Sequence, residues 1–452
     1  MTEDVAEEIG ATRVLARYGV ASRYEQLPAP VVHEARRAIL NWAGCAIGAS
    51  AHETVENAWN AMRPFAGAVQ ATLLGRRERT DILNAALVNG ISSHVLDFDD
   101  THPETLVHPS GPVASALFAL AEHRGASGAD LVNAFVTGVE VECRVARAVL
   151  PSHYDVGWHI TATAGVFGAA AASARLLGLD EERTVWALGL AATQAAGLRE
   201  MFGSMAKSLH PGRAAQNGLA AALFAQAGLT SSETAIEGRR GFANVLSTTV
   251  DLAKCVEGLG VRYELLGNTY KPFACGLVIH PVIDGCIRLR AAGLRPQDVQ
   301  RIDLRVHPLV LELTGKAAPR SGLEGKFSVF HSAAVALIDG DGGEAQYADA
   351  RVRDPAVVAL RGKVRAEVDP TMAMEAARLT VTLGDGTQRS ALVDHCIGSR
   401  KQPMTDAQLE QKFSDQCEPV LGAGRVALAL ACLRRIESLD QMGECAAALS
   451  LA

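Results

Sequence analysis

The segment HVLDFDDTHPETLVHPS, His94 to Ser110, gathers acids, histidines and threonines between two apolar runs. Proton abstraction beside a carboxylate calls for such groups. A base must take a weakly acidic C–H proton. A second group must protonate a leaving hydroxyl or the opposite carbon face, and cations must neutralise the substrate carboxylates. Within the segment the candidates are Asp97, Thr101 and His108, with Asp99 and Asp100 read as structural. His108 stands just before a helix start, where Ser110 or Gly111 is expected to cap and Pro112 to fall in the first turn. There the helix dipole favours a neutral imidazole and a nearby anion.

Three further places supply matching chemistry. His159, in VGWHITATAG, precedes a small-residue helix with Thr161 or Thr163 as the expected cap. Lys207, in GSMAKSLHPGR, has no acid within four residues, and His210 and Arg213 add cationic character. Lys271, in NTYKPFACGLVIHP, sits where the sequence changes texture, a seam of the kind where pockets form. His280 lies nine residues on and is expected to face the same seam. Asp97, His108, His159 and Lys207 are therefore the catalytic candidates.

Other motifs do not hold. Asp97-Phe98-Asp99-Asp100-Thr101 matches the DxDxT of phosphatases, but a helical run precedes it instead of a strand. The same acids could attract magnesium, which wants oxygen ligands and usually a phosphate, and no phosphate loop is present. Ser204-Met205-Ala206-Lys207 lacks the SDN and KTG partners of serine acyl-enzymes. With no GxSxG and no dinucleotide fingerprint, the expectation is no metal and no cofactor.

The elements must bring these four places together. Up to about residue 235 the chain reads as successive helices, several so rich in Ala and Gly that they must be buried. The runs are 31–47, 80–96, 112–123, 128–149, 162–176, 181–198 and 212–226. After about 260, RIDLRVHPLVLEL, KVRAEVD and ARLTVTLGDGTQRSALVD alternate as strands, with a Gly384-Asp385-Gly386 hairpin and a helix near 327–338. From 405 the pattern is helical again. The expected fold is mainly α: an all-helical domain from both chain ends, 1–265 and 395–452, and an inserted α+β lid, 266–394.

Bulk properties narrow the partners. A net charge of −7 offers nothing to nucleic acid or anionic membrane. Nine scattered cysteines without a CxxC pair argue for reduced thiols. The uncharged stretches are too short or too polar to span a bilayer, and MTEDVAEEIG lacks a signal-peptide pattern, so a cytoplasmic protein is expected.

These segments together resemble the MmgE/PrpD family, which includes 2-methylcitrate dehydratase, cis-aconitate decarboxylase and iminodisuccinate epimerase. The carriers are NGISSHVLDFDDTH with HPSGPVASALFALAE, then HITATAGVFGAAAASARLLGL, GSMAKSLHPGRAAQNG, KPFACGLVIHPVIDG, GKFSVFHSAAVALIDG and MTDAQLEQKFSDQC. The resemblance implies a homodimer and cofactor-independent catalysis between domains. It places family site positions on Asp97, Thr101, His108, His159, Lys207 and Lys271. It implies a lyase, most simply a dehydratase of a small hydroxy di- or tricarboxylate. Thr101, Lys271, His280 and His331 would bind substrate. An epimerase, isomerase or decarboxylase with the same residues, and a non-catalytic carboxylate binder, are the alternatives. Two departures stand out. The Thr101–His108 loop is a residue longer than in decarboxylase-like members, and Phe330 or His331 takes the place of a tyrosine that many members carry.

Overall fold

The computed structural model describes residues 10–451. The N-terminal reading rested on Met1–Gly10, of which residues 1–9 lie outside the described residues. In chain order the helices that matter first are α1 (Ala29–Gly48), α2 (Ile82–Val95), α3 (Ser110–Arg124), α4 (Gly128–Val149), α5 (Gly165–Leu176), α6 (Glu181–Ala192) and α7 (Ala206–Gln226). The lid follows with α8 (His280–Ala291), β1 (Val299–Val306), α9 (Val329–Asp339), β2 (Val364–Val368), β3 (Ala377–Leu383) and β4 (Gln388–Val393). Helix α10 (Asp406–Leu421) opens the final helical stretch. The architecture is mainly helical with a small α+β unit.

Small residues let the central helices approach closely. A Cβ on Gly90 of α2 would lie 2.6 Å from the Gly212 Cα of α7, and one on Gly218 would lie 2.5 Å from the Ala169 Cβ of α5. Helices α2 and α5 bury nearly every side chain, as a helix apolar all round must. Both chain ends share one core: Val31, Trp42 and Ile47 of α1 cluster with Phe413 and Cys417 of α10 and with Leu433 and Ile436 beyond it.

The lid sheet runs β2-β1-β3-β4. β1 pairs in parallel with β2 (Ile302 opposite Val364) and antiparallel with β3 (Leu304 opposite Leu379). β3 and β4 form the hairpin expected at Gly384–Gly386, where Gly386 adopts φ 85°. Ile302, Leu304, Leu379 and Val381 meet α8 and α9 in a second core.

Some expectations need correction. The alternating run after Arg301 is a strand only to Val306; Pro308 then starts a helix, Pro308–Thr314, capped by the His307 side chain. Helix α6 stops at Ala192, and Gly197 at φ 149° lies in the irregular segment that follows. Helix α7 begins at Ala206 rather than 212, and so includes Lys207 and Pro211. All nine cysteines are free and buried. Among the described residues, no helix is long and apolar enough to cross a membrane.

Candidate active site

Helix α2 ends at Val95, and two residues later Asp97 takes φ 51°, a left-handed conformation that a non-glycine residue adopts at a cost. This turn sends the chain into the loop that carries Thr101 and His108. The loop is splinted from both sides. Thr101 and Thr269 exchange backbone hydrogen bonds of 2.9 Å, tying it to the segment of Lys271. Ser110 Oγ and Asn268 Nδ2 each donate to Asp100 Oδ2 at 2.6 Å. Ser110 is thus spent on Asp100, and neither it nor Gly111 caps α3, whose N-cap is Pro109. The short helix after His159 likewise has no side-chain cap from Thr161 or Thr163; Thr161 Oγ1 instead accepts from the His108 backbone N–H at 3.1 Å.

Two of the other places, those of Lys207 and Lys271, meet at Asp97. Its Oδ1 accepts from Lys271 Nζ at 2.7 Å and Lys207 Nζ at 3.1 Å, and Lys271 also donates to the Asp97 carbonyl at 3.0 Å. Burial alone would raise the Asp97 pKa, but the two ammonium groups hold it well below the usual carboxylate range. The lysines differ. For both, burial is the largest effect and lowers the pKa. In Lys271 the charges of Asp97 and Asp99 overcome it, and the pKa ends raised; in Lys207 they do not, and the proton is held more loosely. Asp97 Oδ2 is buried without a partner among the described residues.

The histidines are neutral because they are buried. His108 is pushed down to about 3 and His159 well below its ordinary value. His108 Nδ1 lies 2.8 Å from the Asp100 carbonyl, which can only accept, so the proton is assigned to Nδ1 and Nε2 is left as a free base. His159 Nδ1 lies 2.8 Å from His210 Nδ1, so one of that pair donates to the other.

The cavity is small, about 60 Å³, and its lining includes Asp97, Thr101, His108, His159, Lys207 and Lys271. The sequence reading had named all six. His280 and His331 do not line it. His280 is fully buried as the first residue of α8, with Nε2 3.4 Å from the Cys275 carbonyl and its ring against Phe273. His331 points into the lid core, with Nε2 2.9 Å from the Gln346 carbonyl. The turn of α9 takes Phe330 into lid packing as well, and Phe327 is the residue that reaches the cavity wall.

Sequence reasoning missed several neighbours. Tyr154, five residues before His159, lines the cavity with Phe202 and Phe327. Lys207 Nζ lies 5.5 and 5.3 Å from the Phe202 and Phe327 ring centres, within cation–π range. His94 lies three residues before Asp97, on the last turn of α2, and contacts Lys207 from behind. Lys412 of α10 donates to the carbonyls of Phe98 and Lys271 at 2.7 and 2.9 Å, fixing both sides of the Asp97–Lys271 contact.

The acids of the DFDD run bind protein donors: the lysines hold Asp97, His94 holds Asp99, and Ser110 with Asn268 holds Asp100. The grouping best suited to a metal is His94, His108 and His159, whose donor nitrogens all lie within 4.8 Å of one another. Zinc with bonds of about 2.0–2.1 Å needs ligand nitrogens about 3.4 Å apart. Lys207 Nζ also sits 2.9 Å from His94 Nε2, so a metal would have to displace it.

The family profile for the MmgE/PrpD N-terminal domain matches residues 13–254, and that for the MmgE/PrpD C-terminal domain matches residues 273–435. Cis-aconitate decarboxylase of Homo sapiens is 28% identical over 428 residues, covering 91% of this chain and 88% of that protein. The cis-aconitate decarboxylase of Aspergillus terreus is 25% identical, covering 92% and 91%. A 2-methylcitrate dehydratase of Cupriavidus necator is 24% identical over 84% of each chain.

Proposed function

Because the chain belongs to the MmgE/PrpD family, we propose that it is a cofactor-independent lyase that dehydrates a small hydroxy carboxylic acid. The observation that carries this is one cavity wall holding two lysines on a shared carboxylate beside free neutral imidazoles. Relatives named for decarboxylation and dehydration agree with lyase chemistry on small carboxylates.

Lys271 and Thr101 hold a substrate carboxylate, so that negative charge developing beside it is tolerated. His108 Nε2 takes the C–H proton, because its lone pair is free while Asp97 is engaged by both lysines. The carbanion-like electron pair forms the C=C bond as the C–O bond breaks. The departing oxygen takes a proton from the Lys207 ammonium and leaves as water. His159 orients the substrate or returns a proton. Asp97 Oδ2 accepts a hydrogen bond from the substrate hydroxyl, which relieves a buried acceptor otherwise left unpaired. This favours a hydroxy acid over one with no donor.

Epimerisation is the second reading. His108 and His159, with ring centres 6.5 Å apart, give the cavity two imidazoles that could serve opposite faces of one carbon. In D₂O, dehydration yields an ultraviolet-absorbing unsaturated acid. Epimerisation instead places deuterium in recovered substrate without an alkene. Full turnover by folded Lys207→Ala and His108→Ala variants would overturn both readings. The proposal includes a homodimer in the cytoplasm and the two-domain division at 265/266 and 394/395; light scattering on the purified protein tests the dimer.

A further inference from the structure

The wall facing the ionic cluster restricts the acid that can enter; the argument rests on the carboxylate-site reading above. Among the described residues lining the cavity, Lys207 and Lys271 are the cations, Asp97 is the anion, and no arginine contributes. The formal charge of that wall is therefore +1, two lysines less one aspartate, with the imidazoles neutral. The other buried lysines nearby are turned elsewhere. Lys326 Nζ donates to the carbonyls of Leu96 and Ala274 at 2.6 and 2.7 Å, and Lys412 is held by Asn41, Phe98 and Lys271.

The rest of the lining is mostly apolar: Leu106, Leu277, Val278, Leu313, Met374, Phe202 and Phe327, with Tyr154 and Thr314 as its polar side chains. Phe202 and Phe327 pack with ring centres 5.6 Å apart beside Lys207. With Lys207 and Lys271 engaged by Asp97 and two substrate carboxylates, a third carboxylate would find no further lysine or arginine in this lining, and an unpaired buried charge is strongly disfavoured. An alkyl or aryl arm would exchange water for that surface.

We propose that the substrate carries at most two carboxylates and an apolar substituent that packs between Phe327 and the Leu277–Val278 wall.

Calorimetric titration of the intact protein with three unreactive probes tests this: succinate, 2-butylsuccinate and propane-1,2,3-tricarboxylate. Butylsuccinate should bind about tenfold or more tightly than succinate. The tricarboxylate should bind at least about tenfold more weakly than butylsuccinate. Phe327→Arg should reverse that second preference. A tricarboxylate that binds wild-type protein as tightly as butylsuccinate, or a butyl arm that adds nothing, overturns this proposal and leaves the carboxylate reading standing. Absence of binding by all three overturns both.

Discussion

Asp99 Oδ2 lies 2.7 Å from His94 Nδ1, and the opposite nitrogen of the same ring lies 2.9 Å from Lys207 Nζ. All three side chains are buried. The carboxylate holds the proton on Nδ1, which makes Nε2 an acceptor, and Lys207 donates to it. One N–H of the ammonium is thereby fixed toward His94 and another toward Asp97. The orientation of the third is set by what remains. Asp99 and His94 do not themselves line the cavity; they position the lysine that does, and Asp99 Oδ2 also lies 3.6 Å from His108 Nδ1.

Asp99→Asn should therefore lower kcat about 10–100-fold, the usual loss when an orienting partner is removed, with little change in KM. Asp99 also favours the charged form of Lys207 through space. Removing that charge lowers the lysine pKa, so the alkaline limb of the kcat profile should move to lower pH. An unchanged limb together with unchanged kcat would show Asp99 to be only structural.

Much of this site was legible in the sequence because its residues have no local reason to be where they are. Lys207 lacks a nearby acid and Lys271 sits at a change of texture; both end on Asp97. What sequence could not give was direction. His280 and His331 lie in segments as suggestive as that of His159, yet the turns of α8 and α9 aim them into the lid core. His94 was hidden in a run apolar enough to read as packing alone. Its partner, Lys207, is more than a hundred residues away in the chain. The Ala- and Gly-rich helices were readable as buried, but not the Gly90–Gly212 crossing that sets their distance.

Lys271→Met should destabilise the fold more than it disturbs the surface. Lys271 is 1% exposed and its ammonium is held by Asp97 alone among the acids. Breaking a buried pair from one side costs up to about 3–5 kcal/mol, and less here because Asp97 keeps Lys207. Urea unfolding measures this as a lowered midpoint. Adding Asp97→Asn should deepen the loss, because buried Lys207 then loses its acid partner. A single variant as stable as wild type would contradict the pairing.

Gly90→Ala tests whether the α2–α7 crossing positions catalysis. The new Cβ would sit 2.6 Å from Gly212 Cα and 3.0 Å from Gly212 N, both backbone atoms that cannot rotate away. The helices must part, at about 1–3 kcal/mol. His94 and Lys207 ride on the two helices, so kcat should fall more than stability alone explains. Gly424→Ala, in open space on a helix, is the control and should be neutral or slightly stabilising. Equal activity in both variants would separate the crossing from the site.

Acid should weaken the native state well above the ordinary carboxylate range. Burial pushes His108 and His280 down to about 3, and His102, His153, His210 and His331 to about 4. In the unfolded chain these imidazoles titrate near about 6.5. Between those values the unfolded chain binds protons that the native state refuses. The stability they represent is fully present above about pH 6.5 and is lost as pH falls toward their folded values. Buried Asp100 and Glu140 act in the opposite sense. Burial raises each to about 7, so they hold protons that the unfolded chain releases, and their share is lost as pH rises toward 7. Glu142, raised well above its ordinary value by burial, adds to them. With His52, His94 and His159 also lowered and Glu34 and Glu264 also raised, nine imidazoles against five acids leave a net loss on acidification. Tm should therefore fall steadily from about pH 7 to about pH 5. A Tm that stays level or rises over that interval would mean that these histidines are charged in the folded protein, and His108 could then no longer serve as the base.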